Sequence, residues 1–390
     1  MNMKTIKIFE LFAGIGTQFQ ALKNIAKRKN WQPLSVGYIE WYTDAIVAWE
    51  LVHNNHKDIK LSDFKVDENI TISFDSKKPA LRPENSKKLI NSQYATLLSE
   101  SRDKHNNLFD ISKVKGTSIP KNIDIFTYSF PCQDLSHQGK QKGMNKDSFT
   151  RSGLLWQVDR ILEEMTWSYL PSEMPKFLLM ENVFAIKNAK HNMLYQTWKN
   201  RLAEMNYSSY EYVLDSKFFN SPQSRKRVFL LSVHNSHKEN VNFEFTDIVA
   251  NHSQISKVKL KDIMDYSNPT RIQKDFSSYS YPDFKQTNGI IKSHLRDYTN
   301  FNSENAIFSD QGIGPTLTAS GALSRLKIVN SNNKIFIMNA QEAFKYMGFT
   351  KAQFDKVNKW QILSEAKLTF IMGNAIVIPV LEAIFKTLEF

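Results

Sequence analysis

The sequence predicts an α/β protein with a doubly wound sheet, followed by a second, smaller and irregular domain. Strand-like and helix-like segments alternate up to about residue 235, and a glycine turn joins the first strand to the first helix. From about 236 to 335, Ser, Asn, Lys and Asp dominate and no long helical pattern occurs. The 390 residues are enough for two domains with a sizeable core.

The first elements follow from hydrophobic periodicity. Residues 5–12 are predicted to form a strand, Ala13-Gly14-Ile15-Gly16 a turn, and 17–29 a helix with one apolar face. A second strand is predicted at 34–40 and a second helix at 44–52. This strand–turn–helix–strand order is typical of the start of a doubly wound sheet.

Residues 57–107 are rich in Lys, Ser and Asn and have weak periodicity, which predicts a surface insertion of irregular or short helical structure. Later strands are predicted at 123–130, 176–180, 210–214 and 228–233, and later helices at 154–165 and 193–205. The end of the chain, 368–390, is again helical in pattern. We therefore predict a first domain at 1–235, a second at 236–350, and a segment at 351–390 that returns to the first.

The net charge of +12 and a sequence pI of about 9.4 favour a polyanionic partner, nucleic acid first, although a generally basic soluble protein has a similar charge. No apolar run is long enough to span a membrane, and no secretory signal precedes the first strand. With one cysteine, these features indicate a reducing cytoplasm.

The single cysteine, Cys132, follows a predicted buried strand that Pro131 ends. One thiol cannot form an internal disulfide or a multi-thiolate metal site, so it is either an inert buried side chain or a nucleophile. Free cysteine usually packs like a small hydrophobic residue. Its position just past a strand C-terminus, where open α/β sheets place their ligands, favours the nucleophile.

Three features near the N-terminus indicate a nucleoside cofactor. The turn Gly14-Ile15-Gly16 lets backbone approach a ligand closely, although it lacks the third glycine of a dinucleotide fingerprint and a tight structural turn is the alternative. Glu40 ends the second strand, where such folds place an acid on the ribose. Trp41 follows as a plate for adenine or as a core aromatic residue. Without a pyrophosphate site, the set fits S-adenosylmethionine better than NAD.

Two further groups suit acid–base and anion chemistry. Glu181 ends another predicted strand near the sheet edge of Cys132, where a raised pKa would suit a proton donor; a solvated loop acid is the alternative. Gln223, Arg225 and Arg227 alternate along an extended segment and share one face. Their guanidinium groups suit phosphate or a base carbonyl, or they merely protect a strand edge.

These motifs, in this order, resemble the DNA cytosine-C5 methyltransferase family. The matching blocks are Phe12-Ala13-Gly14-Ile15-Gly16, Pro131-Cys132-Gln133, Glu181-Asn182-Val183, Gln223-x-Arg225-x-Arg227 and Gly373-Asn374. They cover most of the chain outside 57–107 and the irregular domain, and such blocks in order are highly specific. The resemblance implies a Rossmann-like methyltransferase fold with a mixed sheet, and a target-recognition domain at 236–350.

The resemblance also implies a covalent mechanism. It assigns to Cys132 the thiolate that adds to cytosine C6, so that C5 can accept a methyl group from S-adenosylmethionine before β-elimination releases the thiol. Glu181 would hold the exocyclic amine and N3, Arg225 would bind O2, and Arg227 would support the site. Because C5 and C6 lie inside the duplex stack, the base must be flipped out.

The cofactor residues carried over by resemblance are Phe12, Gly14, Gly16, Glu40, Trp41, Asp110, Ile111, Leu154 and Asn374. Asp110 would read the adenine amino group. Its distance along the chain from Glu40 exceeds the usual family spacing, so Asp63 and Asp67 remain alternatives. No metal site is expected.

The segment 134–152 resembles the family's closing loop, and residues 301–305 and 314–325 resemble a bacterial subgroup that methylates CG dinucleotides. The residues expected to contact DNA are Gln138, Lys140, Gln223, Ser320 and Arg325. Gln138 would fill the gap left by the flipped base and Lys140 would bind phosphate. Arg325 would read guanine bidentately or, equally, contact a phosphate.

Two other functions remain open at this point. One is an RNA cytosine-C5 methyltransferase acting on transfer RNA, against which the long recognition-like domain argues. The other is a non-catalytic DNA-binding homologue, against which Cys132, Glu181 and the cofactor turn argue. We further expect double-stranded DNA as partner, a restriction-modification system, a monomer and, from the composition, a cytoplasmic protein without a membrane; the sequence leaves open whether a cognate endonuclease exists.

Overall fold

The computed structural model describes residues 3–66, 70–76, 89–130, 151–240, 248, 254–268, 274–319 and 325–390. The chain divides into two compact units. Unit 1 comprises Met1–Leu214, Lys226–Phe245 and Ile384–Phe390, and unit 2 comprises Asp215–Arg225 and Thr246–Ala383. Among the predicted site residues, Cys132, Gln138, Lys140 and Ser320 lie outside the described residues.

Unit 1 is built on a six-stranded sheet in the order β2-β1-β3-β4-β6-β5. The strands are β1 (Lys4–Leu11), β2 (Trp31–Ile39), β3 (Ile125–Tyr128), β4 (Phe177–Val183), β5 (Tyr207–Asp215) and β6 (Lys226–His234). Strands β2, β1, β3 and β4 run parallel to one another, and β6 is antiparallel to β4. The doubly wound mixed sheet predicted from the sequence is confirmed.

The helices of unit 1 follow the predicted order. They are α1 (Thr17–Lys29), α2 (Thr43–His53), α3 (Gln93–Asp103), α4 (Leu155–Ser168) and α5 (Ala189–Glu204). Helix α1 begins and ends where periodicity predicted, between the left-handed residues Gly16 and Asn30. Helix α2 is buried along its whole length, including its charged residues Asp44 and Glu50.

The insertion at 57–107 is more than surface structure. It contains α3, whose N-cap Ser92 accepts a hydrogen bond from Ala95 N. It also contributes to a small apolar cluster with α2, formed by Ile46, Phe64, Ile72, Leu89, Ala95, Leu98 and Phe109. Because α2 immediately follows Glu40 and Trp41, the insertion supports the segment where a cofactor is expected.

Unit 2 is less irregular than the sequence indicated. A five-stranded sheet runs in the order β11-β10-β9-β8-β7. Its strands are β7 (Lys285–Thr287), β8 (Ile290–His294), β9 (Ala306–Ser309), β10 (Lys327–Val329) and β11 (Ile335–Ile337). Strands of this length are too short for an alternating pattern to stand out from the polar sequence around them, so the sequence did not predict this sheet.

The remaining described helices are α6 (Asn302–Asn305), α7 (Ala340–Met347), α8 (Lys351–Asn358), α9 (Glu365–Asn374) and α10 (Ile378–Lys386). Of the predicted returning segment 351–390, only Ile384–Phe390 groups with unit 1. The span Glu365–Lys386 is long and apolar enough to cross a membrane, contrary to the sequence expectation. However, 72% of its most apolar window is buried in the structure, as in the core helix of a water-soluble protein.

Candidate active site

The glycine turn after β1 has a left-handed backbone at three positions: φ is 57° at Phe12, 57° at Gly14 and 77° at Gly16. A Cβ at Gly16 would lie 2.5 Å from His53 Nε2 and 2.6 Å from the Trp49 ring, so packing also requires glycine there. At Gly14 a Cβ would meet nothing within 4 Å. The turn therefore leaves open space beside Gly14, where a ligand can approach the backbone.

Glu40 is held by backbone N–H groups from both sides of this space. Its Oε2 accepts from Gly14 N at 2.9 Å, and its Oε1 accepts from Trp41 N at 2.9 Å and Tyr42 N at 2.8 Å. Burial raises the pKa of Glu40, while these three N–H groups oppose that rise. Since Oε2 accepts one of these bonds and Oε1 two, Oε2 retains acceptor capacity suited to a ribose hydroxyl. The structure thus brings Gly14, Glu40 and Trp41 together, as expected.

Asp110 is half-buried, and its Oδ1 accepts from Ser112 N at 3.0 Å and Ser112 Oγ at 2.7 Å. Its neighbour Ile111 is buried in the main core of unit 1. Of the two alternative acids, Asp63 accepts from Asn91 N within the insertion, and Asp67 lies outside the described residues. Leu154, directly before α4, packs against the same core.

Glu181 lies on β4 and is 9% exposed. Its Oε1 pairs with Arg227 Nε of the neighbouring strand β6 at 3.1 Å. The adjacent Asn182 donates through Nδ2 to Phe130 O at 3.2 Å. That bond fixes the chain two residues before Cys132 to the residue that follows Glu181, so the last described point before the thiol is anchored to the strand that carries Glu181.

Gln223 and Arg225 lie in unit 2 and are buried there. The Arg225 guanidinium donates to Leu317 O at 2.8 Å and to Gly373 O at 3.2 Å, and Gln223 Oε1 accepts from Leu317 N at 3.1 Å. A Cβ on Gly373 would lie 2.5 Å from the Thr318 carbonyl carbon, which explains the glycine of the Gly373-Asn374 block. The next residue, Asn374, is exposed at the end of α9.

Arg325 differs from its expected environment. It is only 9% exposed, and its Nη1 donates to Glu365 Oε1 at 2.8 Å within unit 2. The ion pair engages Nη1 of the guanidinium, which has five N–H donors in all, and the DNA-reading role of Arg325 stays a prediction.

Sequence reasoning missed a buried acid beneath the turn. Glu10 on β1 is fully buried and accepts from Phe19 N at 3.0 Å and Trp49 Nε1 at 3.4 Å. Burial raises its pKa to about 7. A charged residue within a run of six otherwise apolar strand and turn positions, Ile8 to Ala13, was the signal that could have identified it.

One group of side chains in unit 1 has metal-ligand chemistry. Ligand atoms of Glu50, His56 and Glu100 all lie within 4.8 Å of one another. However, both carboxylate oxygens of Glu50 already accept hydrogen bonds, from Tyr38, Asn54 and His105. We therefore interpret the group as a hydrogen-bonded network that joins α2 to the insertion.

Comparison with known proteins gives a consistent result. The family described as C-5 cytosine-specific DNA methylase matches residues 68–389. The orphan methyltransferase M.SssI of Spiroplasma monobiae is 38% identical over 98% of this chain and 96% of its own length. The type II methyltransferase M2.ScrFI of Lactococcus lactis subsp. cremoris is 28% identical over 98% of this chain and 99% of its own.

Solved structures are similar over the same extent. The Dnmt2 methyltransferase of S. pombe has a TM-score of 0.59 at 17% identity, covering 98% of this chain and 97% of its own. The Entamoeba histolytica methyltransferase EhMeth has a TM-score of 0.55 at 12% identity, covering 98% of each chain. At these identities the likeness supports the methyltransferase fold and nothing finer.

Proposed function

Because the chain belongs to the family of C-5 cytosine-specific DNA methylases, and so transfers methyl groups from S-adenosylmethionine to cytosine C5 in DNA, we propose that Cys132 is the nucleophile. The observation that carries this assignment is the Asn182–Phe130 hydrogen bond, which ties the chain entering Cys132 to the strand of Glu181. A thiolate is the nucleophile that such an addition needs.

In the proposed mechanism, the Cys132 thiolate bonds to C6 of a flipped-out cytosine. The Glu181 carboxyl hydrogen-bonds the exocyclic amine and gives a proton to N3, so that electron density reaches C5. Arg227 holds the carboxylate of Glu181 in place through the 3.1 Å ion pair. When bound, S-adenosylmethionine supplies the electrophilic methyl group. Loss of the C5 proton to solvent then returns electrons to the ring and expels the Cys132 thiolate by β-elimination, and N3 returns its proton to Glu181.

We assign the cofactor to the space beside Gly14. Backbone at Phe12, Gly14 and Gly16 would line it, Glu40 Oε2 would accept from the ribose, and the Trp41 ring would face the adenine. Asp110 and Ile111 would read the adenine amino group. Leu154 and Asn374 are assigned further cofactor contacts by family resemblance alone.

Unit 1 is proposed to carry catalysis and unit 2 target recognition, with CG as the target. In this proposal Gln138, Lys140, Gln223, Ser320 and Arg325 contact DNA, and Arg225 binds the base carbonyl. The protein would act as a cytoplasmic monomer. Methyltransferases of type II systems are among the relatives, so an endonuclease of matching specificity is part of the proposal.

Replacing the nucleophile tests the central assignment. We expect Cys132→Ser to abolish methyl transfer from radiolabelled S-adenosylmethionine while duplex binding in a gel-shift assay is retained. Duplex DNA containing 5-fluorocytosine in CG should trap the wild-type protein covalently during methylation, because fluorine at C5 cannot leave as a proton does. Turnover by the serine variant, or no adduct with the wild type, would remove Cys132 from this role.

The target is tested by treating a plasmid with protein and cofactor and sequencing it after bisulfite conversion. Cytosines that resist conversion only within CG support the proposed specificity. Resistant cytosines in another sequence context would show a different target. Parallel assays with transfer RNA separate the RNA-modifying alternative, for which we expect little incorporation.

A further inference from the structure

We propose that Asn107 is a positioning residue that holds Glu40 and the Asp110 segment in fixed relation, and so sets the affinity for S-adenosylmethionine. The inference rests on the proposed cofactor site, in which Glu40 and Asp110 bind opposite ends of the nucleoside. These acids come from separate parts of the chain, and the insertion lies between them. A contact between the two segments must therefore fix the distance between Glu40 and Asp110.

The Asn107 side chain joins both segments directly. Its Oδ1 accepts from Glu40 N at 3.1 Å, and its Nδ2 donates to Glu40 O at 3.1 Å. The same Oδ1 accepts from Phe109 N at 3.0 Å. Asn107 is only 2% exposed, so these three bonds form away from bulk water, where an unmade partner is costly.

The arrangement extends the edge of the unit 1 sheet. Backbone of residues 106–108 pairs with Tyr38: Tyr38 N donates to Asn106 O at 3.3 Å and Leu108 N donates to Tyr38 O at 2.9 Å. Strand β2 ends at Ile39. At Glu40, the carboxamide of Asn107 takes the place of a backbone partner, since it offers a donor and an acceptor as a peptide group does.

The hydrogen bond from Phe109 N to Asn107 Oδ1 stabilises the segment that leads to Asp110. Phe109 has a left-handed backbone with φ of 57°, which is unfavourable for a bulky residue. Its N–H is satisfied by the asparagine two residues earlier, a pattern typical of Asx-turns. Asn107 therefore stabilises both the backbone that presents Glu40 and the turn that leads to Asp110.

Only a carboxamide of this length supplies both functions. Aspartate keeps the acceptor but loses the donor and sets a charge against Glu40 O. The neighbouring Asn106 offers a matched control, because its Nδ2 donates to another β2 carbonyl, Val36 O, at 3.1 Å. Asn107→Asp and Asn106→Asp therefore make the same chemical change between the segment 106–108 and β2, at different distances along β2 from Glu40.

The test measures steady-state methylation, cofactor binding by calorimetry, and thermal unfolding for both variants and the wild type. For Asn107→Asp we expect the KM and Kd for S-adenosylmethionine to rise on the order of tenfold, equivalent to about 1.4 kcal/mol. We expect kcat and the KM for DNA to change less than about twofold. For Asn106→Asp all these constants should stay near the wild-type values, while Tm should fall by about as much as it does in Asn107→Asp.

Equal cofactor constants for the two variants, or equal losses toward DNA and cofactor, would overturn the inference and leave Asn107 merely structural. If Asn107→Asp does not fold, Asn107→Ser replaces it, because a serine hydroxyl still accepts from Phe109 N while both Glu40 bonds are lost. A wild-type protein that neither binds S-adenosylmethionine nor methylates DNA would refute the proposed function itself, a result distinct from an active wild type with an unaffected variant.

Discussion

Two carboxylates at the turn of unit 1 show how local hydrogen bonding divides structural from binding roles. Glu10 and Glu40 lie at the ends of neighbouring strands, and burial raises the pKa of both. Glu40 accepts from three backbone N–H groups around an open space. Glu10 accepts from one backbone N–H and one indole inside the core. Glu40 therefore suits a ligand, while Glu10 joins β1 to α1 and α2.

The raised pKa of Glu10 predicts a pH-dependent stability. Its pKa is about 7 in the fold against 4.5 for an ordinary glutamate, so folding favours the protonated form. This contribution is fully present below about pH 4.5 and is lost as pH rises through 7. We expect Glu10→Gln to remove it, so that the wild type loses about 3 kcal/mol more unfolding free energy than the variant between pH 4.5 and 8.

Urea unfolding at several pH values measures this difference. Glu389→Gln, at an exposed position near the C-terminus, is the control and should track the wild type. If the unfolding free energies of the wild type and Glu10→Gln change equally with pH, Glu10 keeps an ordinary pKa in the folded protein.

Among the elements, the β7–β8 hairpin of unit 2 contains an unfavourable pair of like charges. Lys285 and Lys292 are directly opposite each other in an antiparallel ladder, and both are exposed. Like charges in such a pair destabilise it, whereas opposite charges contribute about 0.2–1 kcal/mol. A polyanionic partner would offset the repulsion, which agrees with the proposal that unit 2 recognises DNA.

We therefore expect Lys285→Glu to stabilise the hairpin and to weaken DNA binding at the same time. Hydrogen exchange of the β7 and β8 amides measures the first effect, and duplex titration measures the second. Lys334→Glu changes the charge equally at an exposed lysine outside the strands and is the matched control. Unchanged exchange, or an equal loss of affinity in both variants, would contradict the prediction.

Elements differ in how far the sequence predicts them, and the reason is length. Helix α1 and the buried strands of unit 1 have patterns long enough to identify. Strands β7, β10 and β11 have three residues each, which is too few. Helices α7 and α8 begin with capping boxes, Asn339 with Glu342 and Thr350 with Gln353, a local signal that sequence reasoning passed over.

The residues of the candidate site also differ in how far the sequence predicts them. Gly14, Gly16, Glu40 and Glu181 belong to motifs, and each was identified from its place at the end of a predicted strand or in the turn that follows one. Asn107 lies in a polar insertion rich in asparagine, where its residue type carries no information. Its role depends on tertiary contacts with Glu40 that only the fold creates.

For the whole molecule, the excess of positive charge is the property that bears most on DNA binding. The chain has 51 Lys and Arg against 39 Asp and Glu. Surface ion pairs such as Lys351 with Asp355 contribute little to stability, so the excess positive charge is better explained by binding than by folding. A DNA substrate supplies the opposite charge and releases counterions when lysine and arginine neutralise its phosphates.

We therefore expect duplex affinity to fall steeply with salt. Neutralising about six phosphates would lower the association constant by roughly 10³ between 50 and 200 mM salt. Fluorescence anisotropy of a labelled CG duplex measures the slope of log K against log salt, and S-adenosylmethionine binding measured over the same range should be nearly flat. Lys285→Glu should reduce the slope by about one if that lysine contacts phosphate. A flat response of DNA binding would mean that the positive charge serves another purpose, because counterion release accompanies every phosphate contact.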